Sequence, residues 1–171
     1  KIAREKAGII KERVPVVIGE YQKETFPVFQ QIAQQNNAPL FLASSEVTEA
    51  FESDLKGTYQ INNIKTAVQT VRLLKDYSIT DSQTKLGLQQ VAAQTGLKGR
   101  WTVLNTAPKV IMDVAHNYEG LLQVVDQLMK ESFEKLHIVF GSVSDKNLDR
   151  VFSILPKNAQ YYYCAPNLSR A

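Results

Sequence analysis

From Lys109 to Ala165 strand-like and helix-like segments alternate, and that order constrains the fold more than any other feature of the chain. Lys109 to Asp113 reads as a strand, and Glu119 to Glu131 as a helix with Leu121, Val124, Val125 and Leu128 inward. Leu136 to Gly141 reads as a second strand, Leu148 to Leu155 as a helix, and Gln160 to Ala165 as a third strand. This β-α-β-α-β order predicts a parallel, doubly wound sheet with right-handed crossovers.

The first half has its own pattern. Val14 to Gly19 is a β-branched run closed by glycine, and a helix follows with Thr25 as N-cap and Pro27 in its first turn. Val28, Phe29, Ile32 and Ala33 form its apolar stripe, and Pro39 to Leu42 returns as a strand. Residues 44 to 57 lack a period and read as a loop or an irregular strand pair. From Tyr59, Ile61, Ile64, Ala67, Val68, Val71 and Leu74 recur at helical spacing as far as Tyr77. Thr80 with Gln83 forms a capping-box pattern for a further helix that runs towards Thr95 and Gly96. Gly96-Leu97-Lys98-Gly99-Arg100 then sets two glycines and two cations between helix and strand, which places a domain boundary near residue 98.

A chain of 171 residues with 44% hydrophobic and 22% charged positions can bury a sizeable core, so disordered and low-complexity classes are excluded. The apolar runs Val110 to Met112 and Ile138 to Phe140 fall far short of the roughly 18 to 20 residues that cross a membrane. Twenty basic against 17 acidic residues leave a charge of +3, and the cations are scattered among acids, which argues against a nucleic-acid partner. The single cysteine, Cys164, cannot form an internal disulfide; it sits in a run that reads as a buried strand and suits a reducing, cytoplasmic setting. The sequence opens at Lys1 already in a helix-like pattern and stops at Ala171 without a cap, so both ends read as cuts through a longer protein.

In parallel α/β sheets, ligands bind at the carboxyl ends of strands, and Asp113-Val114-Ala115-His116-Asn117 occupies such an end. An acid, an imidazole and an amide there suit a ribose hydroxyl, a phosphate oxygen or a metal-bound water; equally, Asp113 and Asn117 suit helix capping. Arg100 beside Gly99 is either a phosphate-binding guanidinium at a hinge or a solvated linker charge. Lys6 lies among Ile2, Ala3, Ile9 and Ile10, a setting for a partly desolvated amine or for a lysine that complements a helix C-terminus. Gln60 and Asn63, three apart, suit the edge of a base or a first-turn cap. Gly141-Ser142-Val143-Ser144-Asp145-Lys146 follows another strand, while Trp101 and His137 read as structural. No G-x-x-x-x-G-K-[ST] loop occurs in these residues.

In combination, Ile2-Ala3-Arg4-Glu5-Lys6-Ala7-Gly8-Ile9-Ile10-Lys11, Pro15-Val16-Val17, Tyr59-Gln60 with Asn63, Gly99-Arg100, Asp113-x-Ala115-His116-Asn117 and Gly141-x-x-x-Asp145-Lys146 resemble the folylpolyglutamate synthase/dihydrofolate synthase family of the Mur ligase superfamily. The resemblance runs along the whole chain, with Val114 departing from the small residue usual there. It implies an α/β fold: residues 1–97 as the end of a central ATPase domain, and 98–171 as the start of a Rossmann-like, mostly parallel C-terminal domain, both incomplete.

It further implies an ATP-dependent acid–amino-acid ligase using ATP and Mg2+, acting on folate or dihydropteroate and L-glutamate, monomeric, with neither nucleic-acid nor membrane partner. By the same resemblance Lys6 is the lysine carbamylated by CO2 that helps hold magnesium. Asn63 meets the adenine, Arg100 the ATP phosphates, Asp113 the ribose and phosphates, and His116 lies close to the γ-phosphate. The 171 residues alone are expected to be inactive, since they lack the phosphate-binding loop. Two other readings are a non-catalytic nucleotide-binding module and another Mur-type amino-acid ligase.

Overall fold

In the computed structural model, which describes residues 1–142 and 148–165, the chain divides into two compact units. One holds Lys1–Leu55 and Tyr59–Gly96; the other holds Lys56–Thr58 and the described residues from Leu97 onward.

In the first unit, α1 (Ile2–Ala7) precedes β1 (Val16–Ile18), α2 (Phe26–Gln35) and β2 (Leu40–Leu42). β1 and β2 pair in parallel with Val16 opposite Leu40 and Ile18 opposite Leu42, as a strand–helix–strand unit requires. Thr25 stands at the N-cap of α2, but its hydroxyl donates to Gln22 Oε1 instead of accepting a helix N–H. The aperiodic stretch begins with one short helix, α3 (Ala43–Glu46), and then buries Val47 completely. Val47 packs with Ile64 and Val68 of α4 (Gln60–Arg72), with Phe51 and Leu88 against them, so this part of the expected stripe is buried, whereas Ile61 and Leu74 are exposed.

Helix α4 stops at Arg72 instead of running to Tyr77. Leu74 N–H bonds to Val71 O and Lys75 N–H to Leu73 O, shorter loops than a helix makes, and Tyr77 is exposed. α5 (Asp81–Gln89) opens on the expected capping box: Thr80 Oγ1 accepts Gln83 N–H at 3.2 Å, and Thr80 N–H donates to Gln83 Oε1 at 2.8 Å. Thr80→Ala is expected to cost about 1 kcal/mol of stability, read as a lower denaturant midpoint at unchanged slope. The pattern from Thr80 to Gly96 is not one helix but two. The backbone breaks at Gln90, and α6 (Val91–Thr95) begins under the carboxylate of Asp54, whose Oδ2 accepts the N–H groups of Ala92 and Ala93 at 2.8 and 3.2 Å. Gly96 ends α6 in the left-handed conformation.

In the second unit β3 (Thr102–Thr106) and β4 (Lys109–Met112) form an antiparallel hairpin with a bulge between Val103 and Asn105. α7 (Tyr118–Leu128) follows, then β5 (His137–Gly141), α8 (Asp149–Ile154) and β6 (Gln160–Cys164). β5 and β6 are parallel, with His137 opposite Gln160 and Gly141 opposite Cys164. The fold is therefore α/β, with two of the three described strand pairs parallel. A single sheet through β4, β5 and β6 was expected. The described sheets are instead two-stranded, and β4 takes β3 as its neighbour.

Phe140 meets Phe152 of α8 at 6.2 Å between ring centroids on one face of the β5–β6 pair. Val139, Tyr162 and Cys164 point to the opposite face and are exposed, so Cys164 is not the buried residue its apolar run predicted. Side chains alternate along a strand, and α8 covers one face only. His137 stacks on Tyr162 at 5.8 Å between ring centroids. Tyr161 donates its hydroxyl to Pro156 O at 2.6 Å, and burial, with the neighbouring Tyr163, pushes the phenol pKa up. The carboxamide of Gln127 on α7 ties Lys56–Thr58 to this unit: Oε1 accepts Thr58 N–H at 2.7 Å, and Nε2 donates to Lys56 O at 3.0 Å.

Candidate functional site

Within the second unit two turns are joined backbone to carboxylate. Gly99 is buried at φ +77°, and Trp101, two residues on, is 4% exposed at φ +55°. Three bonds hold this left-handed turn. Gly99 N–H donates to Thr102 Oγ1 at 3.0 Å, Val114 N–H to Gly99 O at 3.1 Å, and Trp101 N–H to Asp113 Oδ2 at 2.8 Å. The other oxygen of Asp113 accepts Ala115 N–H at 2.9 Å. One carboxylate thus fixes both the Gly99–Trp101 turn and the start of the His116 loop. Positive φ at a tryptophan is costly, and it persists here because the buried indole and the Asp113 bond both require it.

This clamp brings three of the candidate residues into one place: Arg100, Asp113 and His116. Arg100 is half-buried; one of its N–H groups donates to Gly99 O at 3.3 Å, and it enters no ion pair among the described residues. Its remaining donors suit an anion. His116 is exposed with Nδ1 3.1 Å from Val114 O. A proton on Nδ1 donated to that carbonyl leaves Nε2 as the acceptor in the neutral ring. Asn117 caps α7, its Oδ1 accepting Gly120 N–H at 2.7 Å, so the capping alternative holds for this residue.

Asn63 and Lys6 belong to the first unit. Asn63 is exposed on the first turns of α4, and its Nδ2 donates to Oε1 of the buried Gln60 at 2.9 Å. Lys6 is exposed in the last turn of α1, so its isoleucine neighbours do not desolvate it, and its charge lies where it complements the helix end. Among the described residues no group of three or more His, Cys, Asp or Glu is arranged to hold a metal ion. Asp145 and Lys146 lie outside the described residues. Sequence reasoning missed Thr102, whose hydroxyl closes the Gly99 turn; a threonine three positions after a glycine was the available signal.

Residues 99–171 match the glutamate ligase domain of the Mur ligases. The chain is similar to the dihydrofolate synthase/folylpolyglutamate synthase of Bacillus subtilis, 28% identical across 85% of this chain and 39% of that protein. Among solved structures it is similar to the folylpolyglutamate synthase of Thermotoga maritima, with 25% identity, a TM-score of 0.73, and coverage of 99% of this chain and 45% of that one. It also shares the fold of a bifunctional folylpolyglutamate synthase/dihydrofolate synthase from Yersinia pestis complexed with AMPPNP and Mn ion. There the TM-score is 0.76 at 22% identity, covering 98% of this chain and 42% of that one. The chain spans less than half the length of each of these proteins. No helix among the described residues is long and apolar enough to cross a membrane.

Proposed function

We propose that this chain is the part of an ATP-dependent ligase that spans the end of its central ATPase domain, residues 1–97, and the start of its glutamate ligase domain, residues 98–171. The reaction joins L-glutamate to the carboxylate of dihydropteroate or a folate, in the cytoplasm. The observation that carries this reading is the Asp113 clamp, which ties the turn that carries the half-buried Arg100 to the loop that carries the exposed His116, within the residues that match the Mur ligase glutamate ligase domain.

In this reaction the substrate carboxylate attacks the γ-phosphorus of ATP, releasing ADP and leaving an acyl phosphate. The amine of L-glutamate then attacks the acyl carbon, and the amide forms as inorganic phosphate departs. Arg100 neutralises charge on the phosphates. Asp113 contributes by shaping the loop beside the nucleotide ribose and phosphates. His116 offers Nε2 near the γ-phosphate, and Asn63 meets the adenine. Magnesium, when bound, supplies charge neutralisation at the phosphates. The described residues do not form its donor set, and Lys6 would add one carboxylate to it only as a carbamate. The protein works as a monomer on small molecules.

Arg100→Ala in the intact gene product tests the assignment. We expect ATP affinity to fall by about 10- to 100-fold, the scale of losing charge-assisted hydrogen bonds, while adenosine affinity changes little. Equal loss for both ligands, read by isothermal titration, would place Arg100 away from the phosphates. The 171-residue chain by itself is expected to show no ligation in the same assay.

A further inference from the structure

Lys56–Thr58 folds with the second unit although Leu55 before it and Tyr59 after it belong to the first, so the chain passes between the units three times. One side chain holds this strap. Gln127, in the last turn of α7, accepts Thr58 N–H on Oε1 and donates to Lys56 O from Nε2. Both ends of its carboxamide are partnered, and neither backbone group could pair with the amide reversed. Gly57, between the two bonds, is buried.

The last passage, from Gly96 to Leu97, leads to the Gly99 turn, which is fixed at the opposite end of the same helix. There Trp101 N–H donates to Asp113, Val114 N–H donates to Gly99 O, and Asn117 then caps α7. From Asn117 to Gln127 an α-helix rises roughly 15 Å. In the first unit Asp54 joins the segments that lead into these passages, its Oδ2 accepting the N–H groups of Ala92 and Ala93. A single linker leaves two bodies free to swivel, whereas two attachments set apart along a rigid helix leave rotation about one axis.

We propose that Gln127 makes the connection between the units a two-point hinge, with Lys56–Thr58 as one pivot, the Gly99 turn as the other and α7 as the rod between them. The test uses the intact gene product without substrates, so its outcome is separate from that of the ligation reaction. Gln127→Met fills the same space without either bond, and Gln123→Ala is the control, an exposed position one turn earlier on α7. Trypsin cuts the Lys56–Gly57 bond, whose own carbonyl Gln127 holds, and cutting follows the population in which that segment is released. Spin labels on the exposed Cys164 and on Tyr77→Cys, with cysteines outside these residues replaced, read the spread of distances between the units.

Gln127→Met is expected to be cut after Lys56 about tenfold faster or more, since at least one hydrogen bond is lost. Its distance distribution should broaden, while cutting after Lys109, inside β4, stays unchanged. Gln123→Ala should match the unaltered protein in every reading. An unchanged rate at Lys56 overturns the proposal, because something other than Gln127 then holds the strap. Faster cutting without a broader distribution overturns it too, since the strap would not restrain the units. Faster cutting at both lysines would make Gln127 a folding residue, and broadening in Gln123→Ala would trace the effect to α7 as a whole; either result contradicts a pivot at Gln127.

Discussion

Replacing Asp113 by alanine is expected to lower the melting temperature of the unit formed by Leu97 onward by roughly 10 °C or more. Both carboxylate oxygens accept backbone N–H groups, from Trp101 at 2.8 Å and from Ala115 at 2.9 Å, in a half-buried setting. Hydrogen bonds to a charged acceptor contribute about 1.5–3 kcal/mol each, and partial exposure reduces that, so about 3 kcal/mol is the expected sum. In a unit of this size about 1 kcal/mol moves the midpoint by roughly 4–8 °C. Asn is not a substitute. It keeps one acceptor but turns an NH2 group towards the second N–H, so Asp113→Asn should lose most of the same stability. Nucleotide affinity should fall together with stability in both variants, because the Arg100 turn loosens with the clamp. A calorimetric scan in which Asp113→Ala melts as the unaltered protein does would show that the two bonds carry no weight.

Gly99→Ala is expected to be nearly as damaging, for a steric reason. A Cβ at this position would lie 2.4 Å from Cγ1 of Val114, and the backbone sits at φ +77°, where L side chains are strained. The left-handed conformation costs about 1–2 kcal/mol, and overpacking against a β-branched neighbour adds about 1–3 kcal/mol. Val114 is β-branched and so restricted at χ1, and it donates its own N–H to Gly99 O at 3.1 Å, so it cannot retreat freely. The double variant Gly99→Ala/Val114→Ala removes the clash and leaves the φ strain, and it should recover roughly half the loss. Full recovery would assign the whole cost to Val114; no recovery would assign it to the backbone.

What the sequence revealed follows from how local each cause is. The Thr80–Gln83 capping box, the stripe of α4 and the Val16–Leu42 strand–helix–strand unit were legible because their determinants lie within a few residues. The break before α6 was not, since the group that caps it, Asp54, lies 38 residues from Ala92. β3 escaped because four of its five residues are exposed and show no inside–outside alternation. Cys164 shows the opposite failure: an apolar run promised burial, and only one face of β6 receives a covering helix. At the site, the polar strand end at Asp113 was visible as a cluster of residue types. That its carboxylate spends itself on the backbone of Trp101 depends on a left-handed turn that sequence spacing does not reveal.

The proposed ligation is tested by one assay: the intact gene product incubated with ATP, dihydropteroate or a folate, and isotopically labelled L-glutamate, with ADP and labelled product followed together. The expected result is one ADP and one phosphate for each glutamate that enters amide linkage, and no product when any of the three substrates is omitted. ATP turnover without transfer of label, or transfer of an amino acid to a cell-wall precursor in place of the pterin, would contradict it.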